Sequence, residues 1–312
     1  MIYRLVLLLS AISFLAACGG GGGGVQPTVY PAISLSTSTS SLAENSGTTV
    51  TLTVTASKIS DEDITVTLST SGTATDGTDY SAVNGSSLTI TAGTTTATKT
   101  FTITDNSIYE GNETVIVAIS TVSGGSATEN GTQTETITIT ENESAPTITL
   151  STSTSSVAEN SGTIVTLTVT SSQAADEDIT VTLASSGTAT DGTDYSSVNS
   201  SSLTITTGTT TATKTFTITD NSIYEGNETI IVSINTVSGG GAAESETQTE
   251  TITITENESA PTVSIDVDGA TSASVYDNGS NLTLTATSTQ ISDEAITVVI
   301  GTSVGGATEG TD

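Results

Sequence analysis

Eight carboxylates in the first half of the chain fall between its apolar stretches: Glu44, Asp76, Asp79, Asp105, Glu110, Glu113, Glu141 and Glu143. Side chains of this kind, with no cations interleaved, suit three chemistries. Oxygens from several segments can surround a hard divalent cation such as Ca2+, which takes six to eight oxygen ligands. Two carboxyl groups held at a fixed separation can hydrolyse a glycosidic bond. A scattered set can simply keep a surface solvated. The closely spaced Asp residues and central Gly of an EF-hand loop are missing, so a cation site would have to be assembled from distant segments.

Composition removes much else. The 312 residues include no His and one Cys, which excludes a His/Cys zinc site, a Ser-His-Asp triad and a Cys-His pair. Acidic residues number 34 against 4 basic, for a net charge of −30. Only Lys58, Lys99 and Lys214 are basic beyond the first segment, too few to neutralise a phosphate backbone, so nucleic acid is not an expected partner. An acidic, aromatic-poor chain is prone to disorder. Here, though, 34% of residues are hydrophobic and they alternate regularly.

The elements that must position the carboxylates follow from that alternation. Ile33–Leu35, Val50–Val54, Ile64–Leu68, Leu88–Ile90, Phe101–Ile103, Val115–Ile119 and Ile137–Ile139 alternate with period two, separated by Gly, Asn, Asp and Ser. Nothing shows a helical period. Seven short strands in about 100 residues predict an all-β, immunoglobulin-like sandwich. If the strands run alternately up and down, the connections after the first, third and fifth lie at one end, with the tail after the seventh. All eight carboxylates then share that pole, and Asp61, Glu62, Asp63, Glu129 and Glu135 take the other. A pole this acidic is costly by mutual repulsion unless something relieves it.

The pattern repeats. Residues 32–144 align without a gap on 147–259, and GTTTATKTFTITDNSIYEGNET occurs identically at 93–114 and 208–229. Repeats of this length are whole domains, strung as beads. A third copy begins at Thr262 and the sequence stops within it at Asp312, so 262–312 reads as a truncated unit, with exposed edges expected where strands are missing. Short joints, Ser144-Ala145-Pro146 and Ser259-Ala260-Pro261, are stiffened by proline. Across the first joint, the acidic pole of one bead would face Asp176-Glu177-Asp178 of the next, which suggests that an ion there would also stiffen the array.

The start of the chain, MIYRLVLLLSAISFLAAC, has one Arg and an apolar run too short for a comfortable membrane span, as in a secretory signal. Leu15-Ala16-Ala17-Cys18 resembles the bacterial lipoprotein cleavage box. That resemblance implies cleavage before Cys18, lipid on its thiol, and an exported protein held to the cell envelope, at the outer membrane or cell surface. As the lone cysteine, Cys18 has no disulfide partner. Gly19–Gly24 would form a flexible tether through residue 31.

Four motifs in fixed order, Ala43-Glu44-Asn45-Ser46-Gly47, Gly72-Thr-Ala-Thr-Asp-Gly-Thr-Asp-Tyr80, Asp105-Asn-Ser-Ile-Tyr-Glu-Gly-Asn-Glu113 and Ile137-Thr-Ile-Thr-Glu-Asn-Glu143, resemble the Calx-beta domain, a calcium-binding sandwich. The four motifs occur twice in full, and the resemblance covers residues 32–259. It implies Ca2+ ligands at Glu44, Asp79, Asp105, the Ile108 carbonyl, Glu110, Glu113, Glu141 and Glu143. In the second bead these become Glu159, Asp194, Asp220, Ile223, Glu225, Glu228, Glu256 and Glu258, and Asp277 and Asp312 match in the third. Asp76 and Asp191 fall outside the ligand pattern and are expected as exposed turn residues, and Tyr80 and Tyr195 in core or rim packing. Asn106 and Asn142 interrupt acidic runs that multi-ion members of the family carry, so fewer ions and affinities of about 10⁻⁴–10⁻³ M are expected. The implied role is non-enzymatic: adhesion or cell communication, with a surface protein or polysaccharide as partner. A passive stalk that displays a further domain is the alternative.

Overall fold

The computed structural model describes residues 29–267 and 281–301. β-Branched residues alternating with threonine favour extended backbone, and the described residues form strands with no α-helix. The first bead contains β1 (Ala32–Thr37), β2 (Ser41–Ala43), β3 (Thr49–Ala56), β4 (Ile64–Gly72), β5 (Ser87–Ile90), β6 (Thr96–Thr102), β7 (Glu113–Ser123), β8 (Thr128–Glu129) and β9 (Thr134–Thr140). They form two sheets, in the orders β6-β3-β1-β8 and β2-β9-β7-β4-β5. The second bead repeats this arrangement with β10 (Thr147–Thr152), β11 (Ser156–Ala158), β12 (Ile164–Ser171), β13 (Ile179–Gly187), β14 (Ser202–Ile205), β15 (Thr211–Thr217), β16 (Glu228–Ser238), β17 (Ala243–Glu244) and β18 (Thr249–Thr255). Of the third unit, the described part forms an antiparallel pair, β19 (Val263–Val267) with β20 (Leu284–Ser288).

Each expected strand is present, with two additions per bead. The first strand divides between the sheets: β1 runs antiparallel to β3, whereas β2 runs parallel to β9, with Leu42 opposite Ile139. The crossing lies in Thr37–Ser41, where Ser and Thr leave no apolar alternation to read. Side chains hold it instead, Thr39 Oγ1 donating to the Ser41 carbonyl at 2.7 Å. The two-residue β8 adds to the other edge beside β1. The fifth strand begins earlier than its apolar residues indicate, at Thr96, and Ile103 instead bridges to Tyr80.

Inward residues of both sheets, among them Val50, Leu52, Val54, Val66, Leu68, Val115, Val117 and Ile137, are buried in one core. Burying each is worth roughly 1.5–3 kcal/mol. Tyr80 closes the core against Phe101 with ring centroids 5.6 Å apart. The second bead has its own separate core. At the end of β4, Gly72 has φ +119 and passes so close to β7 that a Cβ there would stand 2.1 Å from the Thr114 carbonyl oxygen. Only glycine fits, and this crossing sets the direction of the loop that carries Asp79. Val263, Ile265 and Leu284 of the third unit remain exposed. Among the described residues no helix is long and apolar enough to cross a membrane. The expectations for Cys18, the tether up to residue 28, Asp277 and Asp312 fall outside the described residues.

Candidate metal centre

Two carboxylate triads form at one pole of each bead. In the first triad Asp79 sits in the turn after Gly72, its Oδ2 accepting the Thr75 N–H at 2.6 Å, and it is only 8% exposed. Glu113 opens β7 opposite Ile139. Glu110 is held by its own backbone: Glu141 Oε2 accepts the N–H groups of Glu110 and Gly111 at 2.6 and 2.7 Å. One oxygen each from Asp79, Glu110 and Glu113 lies within 4.8 Å of the others.

The second triad is Glu44, Glu141 and Glu143, with the same mutual limit of 4.8 Å. Glu44 begins a 3-10 turn, Glu44–Ser46, and is 4% exposed. Its Oε1 accepts the Asn106 N–H at 3.3 Å, tying this turn to the loop after β6. Asn112 Oδ1 accepts the Glu141 N–H at 2.9 Å, fixing the start of the tail after β9. Glu159, Glu256 and Glu258, and Asp194, Glu225 and Glu228, form the same pair of triads in the second bead.

The groups raise one another's proton affinity. Burial, then the charges of Glu110 and Glu141, push Glu44 up to about 7. Burial and the charges of Asp79, Glu110 and Asp176 push Glu113 up to about 7. Glu159 and Glu228 also rise to about 7, burial leading in both. Glu256 shows the opposite balance: burial raises it, but hydrogen bonds from Glu258, Glu225 and Gly226 overcome this and hold it at about 2. No lysine relieves the pole. Lys99 and Lys214 lie mid-strand opposite Leu52 and Leu167, and Lys58 lines the opposite pole.

The donor set fits a hard cation. Oxygens bound to one Ca2+ at about 2.3–2.6 Å lie up to roughly 5 Å apart, the span these triads already have. Glu143 Oε2 and Glu258 Oε2 are buried without a hydrogen-bond partner, a cost that a bound cation would remove. Oxygen-only donors favour calcium or magnesium over the softer metals.

Of the expected ligands, Asp105 and Asp220 join neither triad; both are exposed, and their charges act on Glu143 and Glu258 from a distance. The N–H groups of Ile108 and Ile223 are held at 2.6 Å by Asn106 and Asn221 Oδ1, so these asparagines shape the loop. Asp76 lies outside the triads in a turn, but it is half-buried rather than exposed, its Oδ2 accepting from Thr70 Oγ1 and the N–H groups of Val83 and Asn84.

The joint supplies a residue that the sequence pattern missed. The Tyr109 N–H donates to the Ala174 carbonyl at 3.0 Å, and the Asp176 N–H donates to the Tyr109 carbonyl at 3.1 Å. Asp176 therefore stands at the first bead's acidic pole, where its charge raises Glu110 and Glu113. Its neighbours turn away: Glu177 Oε2 accepts from Gly240 and Asp178 Oδ1 from Thr207. The second joint matches, with the Tyr224 N–H on the Ile291 carbonyl at 3.0 Å and the Asp293 N–H on the Tyr224 carbonyl at 3.3 Å. An aromatic flanked by two expected ligands, Ile108 and Glu110, was the available signal.

Paired sheets repeated in tandem, each with a cation-ready acidic pole, define a modular β-sandwich repeat protein. The model of the Calx-beta domain matches residues 28–143 and 141–258, and the chain belongs to that family. Similar solved structures include the CBD12 region of CALX1.2, at 17% identity over 63% of this chain and 77% of that one, TM-score 0.30. The apo form of the Calx CBD1 domain matches at 19% identity over 36% of this chain and 98% of that one, TM-score 0.31. The Yersinia pseudotuberculosis adhesin InvE matches at 13% identity over 75% of this chain and 61% of that one, TM-score 0.31. No curated protein matches the sequence.

Proposed function

We propose that each complete bead binds Ca2+ at its acidic pole, between Asp79, Glu110 and Glu113 and between Glu44, Glu141 and Glu143, with the counterpart triads in the second bead. The observation that carries this is the geometry of those triads: three carboxylate oxygens within 4.8 Å, Glu44 meeting the 141–143 tail and Asp79 meeting the 110–113 stretch, with no lysine of the described residues beside them. The ion supplies the missing positive charge. The chain's own residues supply a fixed cradle, since Glu141 holds the 110–111 backbone and Asn106 holds Ile108. The protein works as a binding array, with no catalytic step.

Because Asp176 reaches the first bead's pole, a cation there also offsets repulsion across the joint and stiffens the array. Export and lipid anchorage through Cys18, with a role in adhesion at the cell envelope, complete the proposal; the Leu15-Ala16-Ala17-Cys18 sequence and the six glycines after it support it. Titration calorimetry on the full chain is expected to show calcium heat at millimolar ion, and Glu113→Gln to weaken it. Absence of any heat, together with a melting temperature that calcium leaves unmoved, would leave the passive stalk standing. Mass spectrometry of the mature N-terminus checks the anchor, expected as a diacyl or triacyl modification lost in Cys18→Ala.

A further inference from the structure

We propose that the lack of a side chain at position 241 lets the second bead seat Tyr109, and that Ser126 closes the same acceptor in the first bead. On the second bead, the pole facing the joint is a socket for Tyr109. The ring lies over Gly241, where a Cβ would stand 2.5 Å from Tyr109 Cε1 and 3.1 Å from its Cζ and Oη. A side chain could enter that space only by displacing the ring from this seat. Gly241 has φ +62, a conformation that already favours glycine. The socket is completed by backbone: Ala174 and Asp176 pair with Tyr109 as a short parallel bridge around Ala175, and Ala175 is 2% exposed.

The first bead has the same pole with a different residue at the decisive place. Residues 59–62 and 125–126 correspond to 174–177 and 240–241, and they line an open cavity of about 290 Å3. Ile59, the counterpart of Ala174, is 62% exposed. Ser126 takes the place of Gly241 and keeps the same backbone, φ +53. Its Cβ therefore stands where the seated tyrosine ring would have to go. The fold tolerates a side chain at this position, and what the side chain prevents is docking. The loop that docks is shared, since residues 93–114 and 208–229 are identical, so acceptance is determined by the acceptor alone. Of the socket positions that differ between the beads, Ile59 for Ala174 and Ser60 for Ala175 among them, 241 is the one that lies under the seated ring.

The test transplants the closed state. Full-length Gly241→Ser, Tyr109→Ala and the double variant are compared with wild type in chelator, so that the outcome is independent of calcium. In wild type, residual dipolar couplings from the two complete beads are expected to fit one common alignment tensor. Gly241→Ser is expected to lose it, each bead keeping its own internal couplings, and Tyr109→Ala is expected to do the same. The double variant should add nothing, as for two residues acting through one contact. Ser126→Gly should leave the common tensor unchanged. A common tensor retained in Gly241→Ser overturns the proposal. So does a common tensor retained in Tyr109→Ala, which leaves position 241 untouched and therefore separates lost docking from lost folding.

Discussion

Among the described carboxyl groups, Glu44, Glu113, Glu159 and Glu228 are pushed far toward the protonated form, each raised from 4.5 to about 7. A carboxyl group raised on folding lends stability that is complete below about pH 4.5 and is lost as the pH climbs through about 7. In chelator the melting temperature is therefore expected to fall across that window. Glu256, held at about 2, has the opposite sign but acts below the window. Calcium binds the carboxylate form, so scanning calorimetry with excess ion is expected to flatten or reverse the fall, and binding near pH 6 to release protons. Titrations in buffers of different ionisation enthalpy count those protons. Two substitutions separate ligand from scaffold. Glu113→Gln removes a charge from a triad and is expected to weaken calcium on the order of tenfold. Asp76→Ala removes the acceptor of three hydrogen bonds and is expected to destabilise by about 1–3 kcal/mol with calcium affinity unchanged.

Strand order is what turns distant carboxylates into neighbours, and at this scale the sequence was most readable. Period-two runs such as Val50–Val54 carry a buried core face and became β3; the up-and-down argument put Glu44, Asp79, Glu110, Glu113, Glu141 and Glu143 at one pole. The split of the first strand was not readable, because Thr37–Ser41 has only hydroxyl side chains and its path depends on two sheets competing for its backbone. Which expected ligands converge was not readable either. Asp105 and Glu110 share a loop, but only Glu110 has its N–H captured by Glu141. Leu52, fully buried between the sheets, is expected to cost about 2–5 kcal/mol as Leu52→Ala, measured by urea unfolding. Gly72→Ala should cost more than about 1 kcal/mol, since its Cβ would meet the Thr114 carbonyl, and should loosen calcium binding by displacing the Asp79 loop.

Across the whole molecule, the proposed ion site and the joint involve the same few residues. Binding confined to the folded state stabilises by about 2.7 kcal/mol at a hundredfold excess over Kd, a large share of the roughly 5–15 kcal/mol typical of a domain. Small-angle scattering of the full chain is expected to show a narrower spread of shapes with calcium than with chelator; identical curves would remove the stiffening. The letter-for-letter copy of residues 93–114 at 208–229 has a further consequence. Unequal recombination between such copies inserts or deletes one bead in register, and every junction so created receives an unaltered tyrosine loop. An inserted bead takes its residues after the crossover from the first bead, Ser126 included, so the array gains length in whole-bead steps but gains a docked joint only where glycine stands at that place.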